Sequence, residues 1–289
     1  MINKGLSRLG TVFLYLISLL PFWLLYLLSD TLFVLLYYIV GYRRKVTQEN
    51  LRNSFPEKSD AERADIERKF YRYLADLFIE TIKMATISRC ELQRRVICTN
   101  PEVIKQYEAA GKSVTAVAGH YCNWEWAGLE FSTRARLFVI YKSLANHVMD
   151  NYFIKKRTRF GGIAVPMAQA LRSSVAHKNE FTIAVYAGDQ TPTLNTAHYF
   201  TEFLNQPTAV FLGIEKISKL IDSAVIFYDM RREKRGYYTY TIVRLVENSK
   251  ETALHEITTA HLKYLEEMIR REPQYWLWSH RRWKLKPKD

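Results

Sequence analysis

The sequence predicts an α/β protein, with a mostly parallel sheet flanked by helices and an N-terminal membrane-anchoring helical segment. Three observations predict it: an uncharged apolar run near the N-terminus, short β-branched runs alternating with helix-compatible stretches, and globular composition over 289 residues. At 48% hydrophobic and 25% charged residues, the chain is no disordered, collagen-like or low-complexity polymer. Its length allows one large domain or two small ones. Forty-two Lys and Arg against 29 Asp and Glu leave a net charge of +13, which attracts nucleic acid, anionic lipid or a phosphorylated substrate. Cys90, Cys98 and Cys122 are odd in number and lack CxxC spacing. Neither a disulfide framework nor a structural zinc site is expected, and a reducing compartment suits the bulk of the chain.

The anchor comes first. Leu9 to Ser29 contains no charge, and after Asp30 the apolar run resumes from Thr31 to Tyr42. As one helix, Leu9–Ser29 would be roughly 31 Å long, close to the hydrocarbon thickness of a bilayer. A cleaved signal peptide fits less well, because the run exceeds an h-region and no small-residue cleavage site follows. The plainer alternative is a buried pair of core helices broken at Pro21 and Asp30. Trp23, Tyr26, Tyr37, Tyr38 and Tyr42 read instead as interfacial aromatic anchors. Lys4 and Arg8 precede the run, and Arg43, Arg44 and Lys45 follow it. The larger cluster lies after the run, which places the rest of the chain in the cytoplasm and leaves spanning and in-plane anchors both open. The expected division is residues 1–45 as anchor and 46–289 as a cytoplasmic α/β domain.

Ser59-Asp60-Ala61-Glu62 is a capping-box pattern that starts a helix. Ile66, Phe70, Leu74, Leu77, Phe78 and Ile82 give that helix one buried stripe, a structural role. Strands are predicted over Ser113–Ala118, Leu137–Tyr141, Ile163–Pro166 and Phe181–Tyr186, parallel and joined by helical crossovers. Ser223–Met230 and Tyr237–Val246 read as a hairpin, followed by a helix from about Glu251 to Arg271. There is no GxGxxG or Walker pattern, which disfavours a nucleotide-dependent enzyme.

The first crossover strand runs into Gly119-His120-Tyr121-Cys122-Asn123-Trp124-Glu125-Trp126, with His and Glu five positions apart at a strand-to-helix junction, where α/β folds keep ligands. A His held by a carboxylate has its tautomer fixed and can take a proton from a substrate hydroxyl. On spacing alone, the bland reading of a hydrogen-bonded core His and a surface Glu is the favoured one. Lys155, Lys156, Arg157 and Arg159 offer donors for phosphate or carboxylate oxygens, and Arg281 and Arg282 lie among Trp276, Trp278 and Trp283 as at a lipid headgroup boundary. For each of these cations the bland reading is a solvated basic face. Asp189 and Gln190 end an apolar run and could orient an Arg, hold an acceptor, or simply form a turn. His255 and His261, six apart on the predicted helix, share no face, and His147, His177 and His198 have no partner at ligand spacing, so no metal is expected.

Gly-His-Tyr-x-Asn-Trp-Glu-Trp, with its His-x4-Glu spacing, resembles the lauroyl/myristoyl acyltransferase family of lipid A biosynthesis. Asn50–Pro56, Arg157–Gly161, Gly188–Pro192 and Glu272–Lys284 are similar to that family in the expected order, covering nearly the whole chain. The resemblance implies a glycerol-3-phosphate acyltransferase-like fold and transfer of a fatty acyl chain from acyl carrier protein, or acyl-CoA, to a hydroxyl of an anionic lipid A precursor. It places the reaction at the cytoplasmic face of the inner membrane, without a cofactor. His120 and Glu125 become a catalytic dyad, and Asn123, Arg157, Arg159, Asp189, Gln190 and Arg282 become substrate-binding candidates. Cys122 departs from the pattern, since relatives often carry Gly or another small residue there. The implied transfer is direct, so Cys122 reads as a packing residue, not a nucleophile. The alternatives are the same chemistry on a lysophospholipid or aminolipid, and a non-catalytic membrane-anchored protein that holds anionic lipid. With a membrane anchor and no recognisable binding motif, nucleic acid is not expected as a partner.

Overall fold

The structure, a computed structural model, describes residues 4–194, 197 and 199–287, so His198 lies outside the described residues. In chain order the helices before the sheet are α1 (Lys4–Leu19), α2 (Phe22–Val34), α3 (Arg44–Ser54), α4 (Asp60–Lys83) and α5 (Arg89–Arg95). Then come β1 (Val96–Cys98), α6 (Glu102–Ala109), β2 (Val114–Ala118), α7 (Trp124–Phe131), β3 (Leu137–Tyr141), α8 (His147–Arg157), β4 (Ile163–Pro166), α9 (Ala170–Ala176) and β5 (Ile183–Ala187). The chain ends with β6 (Tyr199–Phe203), β7 (Gln206–Val210), α10 (Gly213–Ile221), β8 (Ala224–Lys234), β9 (Tyr237–Val246) and α11 (Glu256–Arg271).

The α/β class holds. Seven strands form one sheet in the order β1-β9-β8-β2-β5-β3-β4. β8, β2, β5, β3 and β4 pair in parallel, whereas β9 runs antiparallel to β8 and carries β1 alongside it. The expected hairpin is therefore present, with β8 running four residues further than expected, to Lys234. β1 and the separate β6–β7 ribbon were not anticipated. β1 is three residues long, too short to show a period, and β6–β7 turns through Leu204 and Asn205, both left-handed, with no glycine to announce it.

The capping box forms as read. The Ser59 amide donates to Glu62 at 2.8 Å, and the Glu62 amide donates to the Ser59 hydroxyl at 3.3 Å. α4 buries far more than a stripe, since Tyr73 through Leu77 are all buried, while Phe78 stays 41% exposed. α11 starts at Glu256, five residues later than expected, because Glu215 of α10 takes the amides of His255 and Thr258 and sets the start from outside.

The predicted single helix over Leu9–Ser29 is two helices. Pro21 lacks an amide to continue α1 and instead begins α2 with an extended backbone. Asp30 does not break α2: Arg235 at 2.7 Å and Arg72 at 3.5 Å satisfy its carboxylate. α2 runs on through a wider helical turn over Leu35–Ile39. Phe22–Ile39 is thus an 18-residue apolar helix of mean hydropathy 1.7, long enough to cross a membrane and only 22% buried. It lies antiparallel along α4: Tyr26 donates to Glu80 at 3.0 Å, Ser29 to Asp76 at 2.7 Å, and the Tyr37 ring meets Tyr71 at 5.5 Å. Of the expected aromatic anchors, Trp23 and Tyr38 face outward, but Tyr37 is buried and the hydroxyl of Tyr26 faces inward.

Candidate active site

Parallel pairing of β2 with β5 aligns Ala118 with Ala187. Two residues further along each strand stand His120 and Asp189, side by side where the sheet's carboxyl ends open, in keeping with ligand placement in α/β folds. Glycines bring these ends close to the helices. A Cβ on Gly119 would lie 2.5 Å from Leu265 of α11, and one on Gly188 would lie 2.8 Å from Ile214 of α10.

The Asp189 carboxylate accepts from both the His120 amide, at 2.8 Å, and the His120 Nδ1–H, at 2.6 Å. Trp276 Nε1–H donates to it at 2.8 Å. Burial alone would push the Asp189 carboxyl up, but the attraction of His120 and these donors hold it well below the usual carboxylate range. It stays ionised and fixes Nδ1 as the protonated nitrogen. Gln190 Nε2 donates to His120 Nε2 at 3.1 Å, so Nε2 is the unprotonated, accepting nitrogen of the imidazole. The Trp124 ring meets the His120 ring edge-to-face at 4.9 Å.

Glu125 is therefore not the carboxylate that holds His120. It sits in the first turn of α7 and faces α8, where Arg157 Nε donates to it at 2.8 Å and the second guanidinium nitrogen also pairs with it. The charge of Arg157 outweighs burial and keeps Glu125 below its ordinary range. The five-residue spacing brings Glu125 near His120, but the hydrogen bond is decided by strand register. Asp189, read from sequence as orienting an Arg or an acceptor, orients the His.

The other candidates separate. Asn123 caps α7 by accepting the Trp126 amide at 2.9 Å and donates to Glu80 at 2.6 Å. Arg159 is not brought to the site: its guanidinium holds the carbonyls of Met84 and Ile87 beyond α4. Lys156 is 3% exposed, and burial lowers its ammonium to about 8. Trp276, Trp278 and Trp283 are 2%, 0% and 8% exposed, a buried cluster and no headgroup boundary. Arg282 is buried with them at 1%, and among the described residues none of its three guanidinium nitrogens has a hydrogen-bond partner. Burial lowers it to about 10, with Asp189 pulling the other way. Its backbone is tied to the site, since the Thr191 hydroxyl donates to the Arg282 carbonyl at 2.7 Å.

Sequence reasoning missed Trp276 as a donor to Asp189 and Glu80 as a site-supporting group. Trp276 was inside a quoted motif, but its tryptophans were read as facing lipid. Glu80 gave no signal, being one acid on an amphipathic helix. Its buried carboxylate accepts from Asn123, Tyr238 and Tyr26, and burial with the charge of Asp76 pushes it up to about 7.

The position of Cys122 has a backbone that suits the glycine expected there. Its φ is +47°, the left-handed region that favours glycine. Its amide donates to the Tyr275 carbonyl at 3.0 Å, Leu277 donates back to His120 at 3.2 Å, and the thiol is fully buried. Burial pushes that thiol well up, which makes it a packing group and a poor nucleophile.

A parallel sheet with a carboxylate-held imidazole at its strand ends defines a class: an α/β protein with a candidate acid–base site where such folds keep ligands. The family model for bacterial lipid A biosynthesis acyltransferase matches residues 1–285, and the chain belongs to that family of acyltransferases. A lipid A biosynthesis acyltransferase of Haemophilus influenzae is 22% identical over 275 residues, spanning 93% of this chain and 85% of the relative. The lipid A biosynthesis lauroyltransferase of Escherichia coli K12 is 22% identical over 283 residues, 98% of this chain and 92% of its own. The palmitoleoyltransferase of the same organism is 22% identical over 246 residues, 85% and 80% of the two chains.

Proposed function

We propose that this protein transfers a fatty acyl chain from the thioester of an acyl carrier protein, or of coenzyme A, to a hydroxyl of an anionic lipid A precursor at the cytoplasmic face of the inner membrane. The observation that carries the reading is the unprotonated, accepting Nε2 of His120, with Nδ1–H held at 2.6 Å by a buried, ionised Asp189. His120 takes the hydroxyl proton at Nε2 as the acceptor oxygen attacks the thioester carbonyl. The tetrahedral intermediate collapses with loss of the thiolate, which recovers the proton from the imidazolium. Asp189 stabilises that imidazolium, Trp276 holds Asp189, and Gln190 steers the ring.

Residues 1–45 serve as the anchor in this reading, lying in the plane of one leaflet. α2 is hydrogen-bonded along α4, which carries Arg68, Lys69 and Arg72 on its surface. A spanning α2 would draw these cations toward the hydrocarbon at about 2.5–3.5 kcal/mol each near its centre. An in-plane anchor instead leaves Phe13, Leu16, Trp23 and Leu27, all at least 54% exposed, to meet lipid.

The test is mass spectrometry of lipid A and total lipid from the native host with and without the gene, complemented by wild type or by His120→Ala. Lipid A lighter by one acyl chain, restored only by wild type, is the expected result. Unchanged lipid A with a missing phospholipid or aminolipid would move the acceptor, and no lipid change would overturn acyl transfer.

A further inference from the structure

A second cleft, of about 410 Å³, opens between α4, the end of the β8–β9 hairpin and the segment just before Trp276. Lys69 and Arg72 line it from α4, and Arg232 and Arg235 from the hairpin. Asp76 is the one carboxylate in its wall, bound by Arg232 and Arg235 at 2.6 Å each. Adding Asp30, which pairs with Arg72 and Arg235 at the rim, and Asp65, which pairs with Lys69, leaves four cations against three carboxylates. Arg232 keeps a buried Nε without a partner among the described residues, and its side chain is only 14% exposed. Lys69 pairs with the surface carboxylate of Asp65 at 2.6 Å. This excess of about one positive charge, on forked and pointlike donors, matches an anion carrying several oxygens.

Two continuities say where that anion comes from. Asp30 belongs to α2, whose neighbouring Leu27, Leu28 and Val34 are exposed apolar residues, so the cleft edges the surface argued above to meet lipid. On the other side, Tyr275 lines the cleft while the next residue, Trp276, donates to Asp189. One step of chain thus separates the cleft from the His120–Asp189 pair, and the Cys122 amide is fastened to the Tyr275 carbonyl.

We propose that this cleft binds a phosphate-type anion, a phosphomonoester or phosphodiester, at the lipid–water boundary beside the active site. The inference rests on the in-plane anchor for its location but not on acyl transfer, and its test reads binding, not turnover. The full chain in dodecyl maltoside micelles is titrated with inorganic phosphate. Its binding to phosphatidylcholine vesicles is measured with and without phosphatidic acid. The variants are K69Q/R72Q, which breaks only surface ion pairs, and R136Q/R244Q, which lowers net charge equally at exposed sites elsewhere. K69Q/R72Q is expected to weaken binding roughly tenfold in at least one arm, with R136Q/R244Q unaffected. A loss confined to phosphatidic acid vesicles assigns the site to a lipid headgroup, and a loss confined to the phosphate titration assigns it to a soluble phosphate. Equal weakening by both pairs, or by neither, with circular dichroism unchanged, overturns the proposal.

Discussion

At the scale of single residues, Asp189 and Glu125 divide roles that the spacing motif would give to one carboxylate. Asp189→Asn keeps the shape but disturbs the tautomer of His120. It is expected to cut the acyl-transfer rate on the order of 10³–10⁴-fold, beside the fall in Tm that losing a stabilising ionised carboxylate brings. Glu125→Gln leaves Arg157 buried without its anion, so the expected effect is a lowered Tm, worth about 3–5 kcal/mol. Thermal melts and single-turnover rates on the two purified variants separate the cases, and a reversed pattern would restore Glu125 as the orienting group. Arg282 is the opposite problem, a buried guanidinium with no hydrogen bond among the described residues that a fold selected for stability alone would discard. Arg282→Met is expected to raise Tm by the equivalent of about 1–3 kcal/mol while lowering activity. A loss of both would make Arg282 a structural cation only. Its charge opposes that of Asp189 beside a base that must gain and lose a proton, which is a reason to keep it.

At the scale of elements, α4 joins the anchor to the site. Glu80 takes hydrogen bonds from Tyr26 of α2, from Asn123 at the start of α7 and from Tyr238 of β9. Its carboxyl is raised to about 7 by burial and by Asp76, so the folded chain keeps a proton there that the unfolded chain releases near 4.5. That contribution is fully present below about 4.5 and is lost as pH rises through 7. Asp189 has the opposite sign: its folded carboxyl is depressed, so its contribution holds above the ordinary carboxylate range and is lost as pH falls. Glu80→Gln should therefore gain Tm relative to wild type as pH rises from 5 to 8, a difference worth on the order of 3 kcal/mol. The comparison is between variant and wild type because His261 and His280, which burial lowers to about 4, make wild-type stability rise with pH below 6.5. A Tm difference that does not change over that range would show Glu80 ionised in the fold. The second helix shows why length alone misleads: Pro21 ends α1, and the partners of α2 on α4 then fix its direction.

At the scale of the whole molecule, the proposed in-plane anchor would bring the net charge of +13 and the exposed apolar face of α1 and α2 to the same membrane surface. Phe13→Asp combined with Leu27→Asp is expected to move the protein from the membrane fraction to the soluble fraction in cell fractionation, while high salt leaves wild type bound. Release of wild type by salt would make the attachment electrostatic. The sequence by itself determined the α/β class, the crossover strands, the capping-box helix, the hairpin and the family, because periodicity, caps and ordered motifs are local along the chain. His120 was legible as the candidate base for the same reason, and Asp189 as a strand-ending acid of uncertain role. Their pairing came only from the tertiary structure, since residues 69 positions apart meet through the parallel register of β2 and β5. Burial likewise decided the three tryptophans, Glu80 and Arg282, whose sequences look the same whether they face lipid, substrate or core, and two backbone carbonyls decided Arg159. The direction of α2 was also settled by what packs against it: an apolar helix carries no mark of its partners, and a charged one lying alongside tells it where to stop.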